Sequence, residues 1–118
     1  MKPSSAKQKG RKFQQEIRDL ILENFKELEP DDVRSTGMGQ SGEDLLFSPA
    51  ARKILPFSIE CKKQQTTSIW QWMAQAEENA NGHMPLLVFS RNRSKSYACL
   101  DVENLMKLLT ELHELKNK

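Results

Sequence analysis

From Gly10 to about Leu28 the apolar residues Phe13, Ile17, Leu20, Ile21 and Phe25 recur at helical spacing. Glu16 sits three residues after Phe13 and four before Leu20, so it borders that stripe. The helix should end before Pro30, because proline disfavours helical geometry in the residue preceding it. The small-residue run "RSTGMGQSG" reads as a loop leading into a strand, "EDLLFS". "PAARK" reads as a turn, and "ILPFSIECKK" as a second strand with Pro56 marking an edge or a bulge. "TTS" offers caps for a helix over "IWQWMAQAEENA", which Gly82 closes, with Trp70, Met73 and Ala76 marking an apolar face that reads as core, Trp70 or Trp72 serving a dimer interface as the alternative. "PLLVFS" and "SYACL" read as a hairpin around the basic "RNRSK". Asp101 can cap a last helix carrying Leu105, Leu108, Leu109, Leu112 and Leu115. That stripe is core by default, with pairing of two subunits as the alternative. The order is helix, two or three strands, helix, two strands, helix, which predicts a mixed α/β fold.

A chain of 118 residues fits one domain. Residues 1–9 read as a flexible basic tail and 10–118 as the domain. With 37% hydrophobic and 29% charged residues it has the composition of a soluble protein with a modest core. No apolar run approaches the ~20 residues that span a bilayer, and no hydrophobic segment follows the basic N-terminus. Cys61 and Cys99 do not suggest a disulfide framework, so a reducing, cytoplasmic location is expected.

The net charge of +2 is unevenly spread. Lys2, Lys7, Lys9, Arg11 and Lys12 precede any acidic residue, and Arg91, Arg93 and Lys95 form a second group. Such patches can neutralise phosphates. A solvated tail and a soluble loop are the alternative.

Gly37, Gly39 and Gly42 match G-x-G-x-x-G, but a dinucleotide site needs that motif between a strand and a helix. Here a strand follows it, so the match is rejected. Asp44 opens that strand, and Glu60 and Lys62 share one face of the next, roughly 6.6 Å apart along it. If Asp44 points to the same face, Asp44 and Glu60 form a paired-carboxylate site suited to Mg²⁺ or Mn²⁺, with Lys62 beside it. Glu16 could add a third carboxylate. An isolated Glu60–Lys62 pair would instead be an ordinary surface salt bridge, worth about 0 to 1 kcal/mol. His83 and His113 lie far apart without zinc-ligand neighbours. Cys61 alternates to the opposite face as a small core residue, and Ser48 and Ser58 have no histidine partner in view.

Taken together, "KGRKFQQEIRDLI", "RSTGMGQSGEDLLF", "SIECKK" and "WQWMAQA" resemble the PD-(D/E)xK nuclease superfamily, and within it the small Holliday junction resolvases of archaeal and phage type. The resemblance runs from about Lys9 to Val88. It implies a restriction-endonuclease-like core, a central mixed sheet of about four to five strands flanked by helices. It implies a Mg²⁺-dependent endonuclease, Mn²⁺ substituting, that hydrolyses branched or duplex DNA as a homodimer, with no small-molecule cofactor and no membrane. By position, Glu16, Asp44 and Glu60 would be metal ligands and Lys62 the catalytic lysine. Arg34, Ser35 and Ser41 fall near the scissile strand, and Gln75 lies in the following helix. Lys9, Arg11, Lys12, Lys63, Arg91, Arg93 and Lys95 would grip phosphates. Two departures stand out: Glu43 replaces the proline of the family's name, and Asn79 stands where RecB-like exonucleases carry tyrosine. The alternatives are a restriction-like or repair nuclease of the same fold, or a non-catalytic DNA binder. The small size leans towards a phage enzyme acting in its host's cytoplasm.

Overall fold

The computed structural model describes residues 3–36 and 42–118. In chain order the elements are α1 (Pro3–Asn24), a 3₁₀ turn (Pro30–Asp32), β1 (Val33–Ser35), β2 (Leu45–Phe47), α2 (Pro49–Ile54), β3 (Phe57–Lys63), α3 (Ile69–Glu78), β4 (Met84–Ser90), β5 (Tyr97–Leu100) and α4 (Val102–Lys116). None of the described helices is long and apolar enough to cross a membrane.

β3 and β4 run parallel, from Phe57 opposite Met84 to Lys63 opposite Ser90. A parallel pair needs a long crossover, and α3 provides it. α3 ends at Glu78 with Asn79 as its C-cap, and Asn81 (φ 49°) and Gly82 (φ 84°) take the left-handed conformations that turn the chain into β4. β5 then returns antiparallel on β4, with Leu87 opposite Cys99, as the hairpin reading expects. β1 and β2 form a separate antiparallel pair, Val33 opposite Phe47 and Ser35 opposite Leu45. The five strands thus make a mixed three-stranded sheet and a two-stranded one, a layout compatible with the restriction-endonuclease-like core.

Phe13 and Ile17 lie one turn apart on α1 and pack with Leu45, Ile59, Cys61 and Val88 into the main core. A second cluster of Leu28, Val33 and Ala51 ties the end of the α1 segment to β1 and α2.

Four expectations change. The segment read as a tail is helical from Pro3 onwards. The "PAARK" turn is helix α2, whose Ser48 cap accepts from the Ala51 N–H and whose Pro49 sits where a helix tolerates proline. β2 therefore pairs with β1 and is not joined to β3 by a tight hairpin. On α3 the buried face runs through Trp72 and Ala76, while Trp70 is 89% exposed. Trp72 packs against Phe89 of β4 with ring centroids 6.4 Å apart, which fixes which side of the helix faces the sheet. The leucine stripe of α4 is not core, since no residue of that helix is buried.

Trp72→Ala should therefore destabilise the fold by about 3 to 5 kcal/mol, and Trp70→Ala by less than about 0.5 kcal/mol. Urea unfolding of the two variants checks this, and similar midpoints would refute the placement of α3.

Candidate functional site

β3 carries the site because both of its faces are covered. Ser58, Ile59, Glu60 and Cys61 are all buried. Alternation sends Ile59 and Cys61 to the α1 side, where they meet Phe13. Ser58, Glu60 and Lys62 take the other face, and the Ser58 hydroxyl donates to the carbonyl of Asn79 at the end of α3.

The open edge of β3 receives Asp44. Its N–H donates to the Ile59 carbonyl at 3.0 Å, and its Oδ2 accepts the Cys61 N–H at 2.7 Å. Thr36 holds Asp44 from the other direction, its N–H and its hydroxyl both donating to the Asp44 carbonyl. The carboxylate of Asp44 is thus fixed beside Glu60. Lys62 Nζ lies 3.8 Å from Glu60 Oε2, while Glu60 Oε1 is buried with no hydrogen-bond partner among the described residues.

Glu60 is only 3% exposed, and this environment pushes its pKa up to about 7. Burial is the largest cause, the Asp44 charge adds to it, and Lys62 opposes it. Burial also raises the Asp44 carboxyl, against the Cys61 N–H and Lys62. The Cys61 thiol is pushed up as well, first by burial and then by both carboxylates, which disqualifies it as a nucleophile.

Two hard carboxylates with an orphaned buried oxygen are a donor set that fits Mg²⁺ or Mn²⁺. The third carboxylate does not join them. Among the described residues no group of three or more His, Cys, Asp or Glu comes together, and Glu16 is exposed, lining a shallow cavity with Gln8, Lys9, Lys12 and Lys63. The reason is the true centre of the α1 stripe. Leu20 is 51% exposed, and the buried arc runs through Phe13, Ile17 and Gln14. Gln14 is the polar side chain that α1 turns inward, and its Oε1 has no partner among the described residues. Its place, one step from Phe13 on the buried side, was the signal available in the sequence.

A second missed feature explains Glu43. Its buried carboxylate pairs with Arg52 of α2, which also donates to the Phe57 carbonyl at 2.6 Å and lies over the Phe47 ring. Arg52 thereby clips the residue before Asp44 to the start of β3.

Of the expected DNA contacts, the structure links two groups. Lys9 Nζ donates to Asn92 Oδ1 at 2.9 Å, joining α1 to the turn that bears Arg91, Arg93 and Lys95. Those three cations line a cavity with Gln65 and Tyr97. Lys63 leans over the Phe13 ring at 5.8 Å, on the α1 side of the sheet. Arg11, Arg34 and Gln75 are exposed, and Ser35 accepts from Gln15 Nε2 at 2.9 Å. Ser41 lies outside the described residues.

Residues 5–117 match the model of a family described as "Phage putative PDDEXK endonuclease". The chain belongs to this family. Comparison with curated proteins and with solved structures finds no match. Asp44 and the E-x-K run of Glu60 and Lys62 are the residues that the candidate site brings together.

The phage PDDEXK domain should show a pH-dependent stability in the absence of metal. Its folded state holds the Glu60 proton more tightly than the unfolded chain does, so this contribution is complete only below the ordinary value near 4.5. It is lost as pH rises through about 7. In EDTA, wild type should lose up to about 3 kcal/mol between those limits relative to Glu60→Gln. Parallel pH profiles in urea unfolding would contradict the assignment.

Proposed function

We propose that this phage PDDEXK protein is a Mg²⁺-dependent, structure-specific DNA endonuclease, with four-way branched DNA as its target and two copies cutting two symmetric strands. One observation carries the catalytic part of this reading: Asp44 is hydrogen-bonded to the edge of β3 so that its carboxylate stands with Glu60 and Lys62.

Hydrolysis adds water across a P–O3′ bond and leaves a 5′-phosphate and a 3′-hydroxyl. Asp44 and Glu60 would hold the cation, Mg²⁺ or Mn²⁺. A divalent cation in such a site supplies Lewis-acid polarisation and a more acidic bound water. Lys62 faces the same side as Glu60, and its ammonium can orient the attacking water and stabilise charge developing on the phosphoryl oxygens. The buried setting strengthens each of these interactions over its value in water. Away from the chemistry, the Lys9–Asn92 bond makes one basic surface from the start of α1 and the 91–95 turn, which suits a backbone held by its phosphates.

Cleavage of four-way junction, linear duplex and single-stranded DNA, each with Mg²⁺ or EDTA, tests the reading. Junction cutting should require the metal and fall by at least about 1,000-fold in Asp44→Asn, Glu60→Gln and Lys62→Met. Undiminished cutting by those variants would overturn the site. Equal cutting of linear duplex would point to a restriction-like or repair nuclease, and binding without cutting to a non-catalytic binder.

Replacing Arg91, Arg93 and Lys95 together by Ala should weaken DNA binding uniformly across sequences. The slope of log K against log salt should fall by about 3. An unchanged slope would remove the turn from the interface.

A further inference from the structure

The turn between β4 and β5 carries a feature that a grip on phosphates alone does not explain. Arg91, Arg93 and Lys95 line a cavity of about 570 Å³ together with Gln65 and Tyr97. That volume lies within the range of small-ligand sites, ~300 to 1,000 Å³. None of the ion pairs among the described residues involves these three cations. Beside them the ring of Tyr97 is left 51% exposed.

The turn is held in shape. The buried Ser90 hydroxyl lies within 3.3 Å of the carbonyls of Arg91, Ser94 and Lys95, and the Asn92 N–H donates to Gln65 Oε1 at 3.2 Å. Arg93 takes a left-handed conformation, φ 62°, which a residue with a side chain keeps only where its surroundings impose it.

Sheet register relates Tyr97 to the candidate site. Lys62 lies opposite Phe89, and Phe89 opposite Tyr97. Directly opposed residues share a face, so the three side chains form one row across the sheet, on the face that bears Glu60. Two inter-strand steps put Tyr97 about 10 Å from Lys62 along that row. Phe89 is packed against Trp72, with ring centroids 6.4 Å apart, and Tyr97 continues the row 6.1 Å beyond Phe89. Tyr97 is thus the ring of the row that stays open to solvent.

An open aromatic face among cations meets both halves of a nucleotide. A base stacks on the ring, and its phosphates meet the guanidinium and ammonium groups. Lys95 Nζ already stands 6.0 Å from the Tyr97 centroid. A base inside a duplex has both of its faces covered by neighbours, so only an unpaired, unstacked base can use the ring.

We propose that Tyr97, with Arg91, Arg93 and Lys95, forms a subsite for an unpaired nucleotide of DNA, on the face of the sheet that holds Glu60 and Lys62. The subsite deepens the nuclease reading above and rests on it for the identity of the strand as DNA. It would favour substrates that offer an unstacked base close to the bond to be cut, as a distorted branch point does.

Binding by the full chain in EDTA, where nothing is cut, tests this. The probes are an end-labelled oligo(dT) of about 20 nucleotides and a duplex of the same length, both read by fluorescence anisotropy. A third probe is the same oligo(dT) with one central 2-aminopurine, whose emission falls when it stacks. Tyr97→Ala should weaken single-strand binding by about 5- to 150-fold and leave duplex binding within about twofold of wild type. Wild type at saturation should quench the 2-aminopurine, and the quenching should be lost in Tyr97→Ala and kept in Tyr97→Phe. Tyr97→Leu, which keeps an apolar contact with Phe89, should behave like Tyr97→Ala, with circular dichroism reporting retained folding of each variant. Unchanged single-strand binding, an equal loss of single-strand and duplex binding, or quenching that survives removal of the ring would overturn the proposal. These readouts need neither metal nor turnover. A protein that cuts DNA but binds it without help from Tyr97 would sink the subsite and leave the nuclease reading standing. A Tyr97-dependent binder that never cuts would do the reverse.

Discussion

Asp44 meets β3 twice, through its N–H on the Ile59 carbonyl and through its carboxylate on the Cys61 N–H. These two bonds connect the two-stranded sheet to the three-stranded one, and they do so at a carboxylate of the candidate site. A carboxylate beside a second, buried carboxylate is unfavourable in itself, since desolvation and like charge both oppose ionisation. At Asp44 the Cys61 N–H offsets part of that cost and Lys62 a smaller part, and at Glu60 Lys62 opposes it as well. The same contact therefore serves the fold as a strand-edge link and serves the site as a charge clamp.

Around this contact the sequence places supports that act at one remove. Arg52 bridges Glu43, the Phe57 carbonyl and the Phe47 ring, so one guanidinium touches the residue before Asp44, the beginning of β3 and the end of β2. A planar fork with several donors can satisfy such a set, where an ammonium on a flexible stem cannot. The partly buried Glu43–Arg52 ion pair locates the segment that leads into Asp44.

The parts of the site written on one strand were legible from sequence. Period two fixes Glu60 and Lys62 on one face and Cys61 on the other without any tertiary knowledge. The hairpin at 91–95 and the capped α4 also follow from local signals. What failed depends on which neighbour a face meets. Leu20 looks like part of the α1 stripe, yet it is half exposed, and including it rotates the apparent buried arc away from Gln14 towards Glu16. Trp70 and Trp72 are equally apolar in a list of residues, and only the Phe89 ring on β4 decides which one is core. The "PAARK" segment carried a serine cap and a proline at the first helical position, so its helix was readable and was masked by its short length.

α4 marks the opposite limit. Its amphipathic pattern is plain in the sequence, and a leucine stripe ordinarily signals a core. Leaving such a face in water costs free energy that a small domain can scarcely spare, since total stability is only about 5 to 15 kcal/mol. α4, capped at its first turn and apolar along one side, leaves that face uncovered by the described residues.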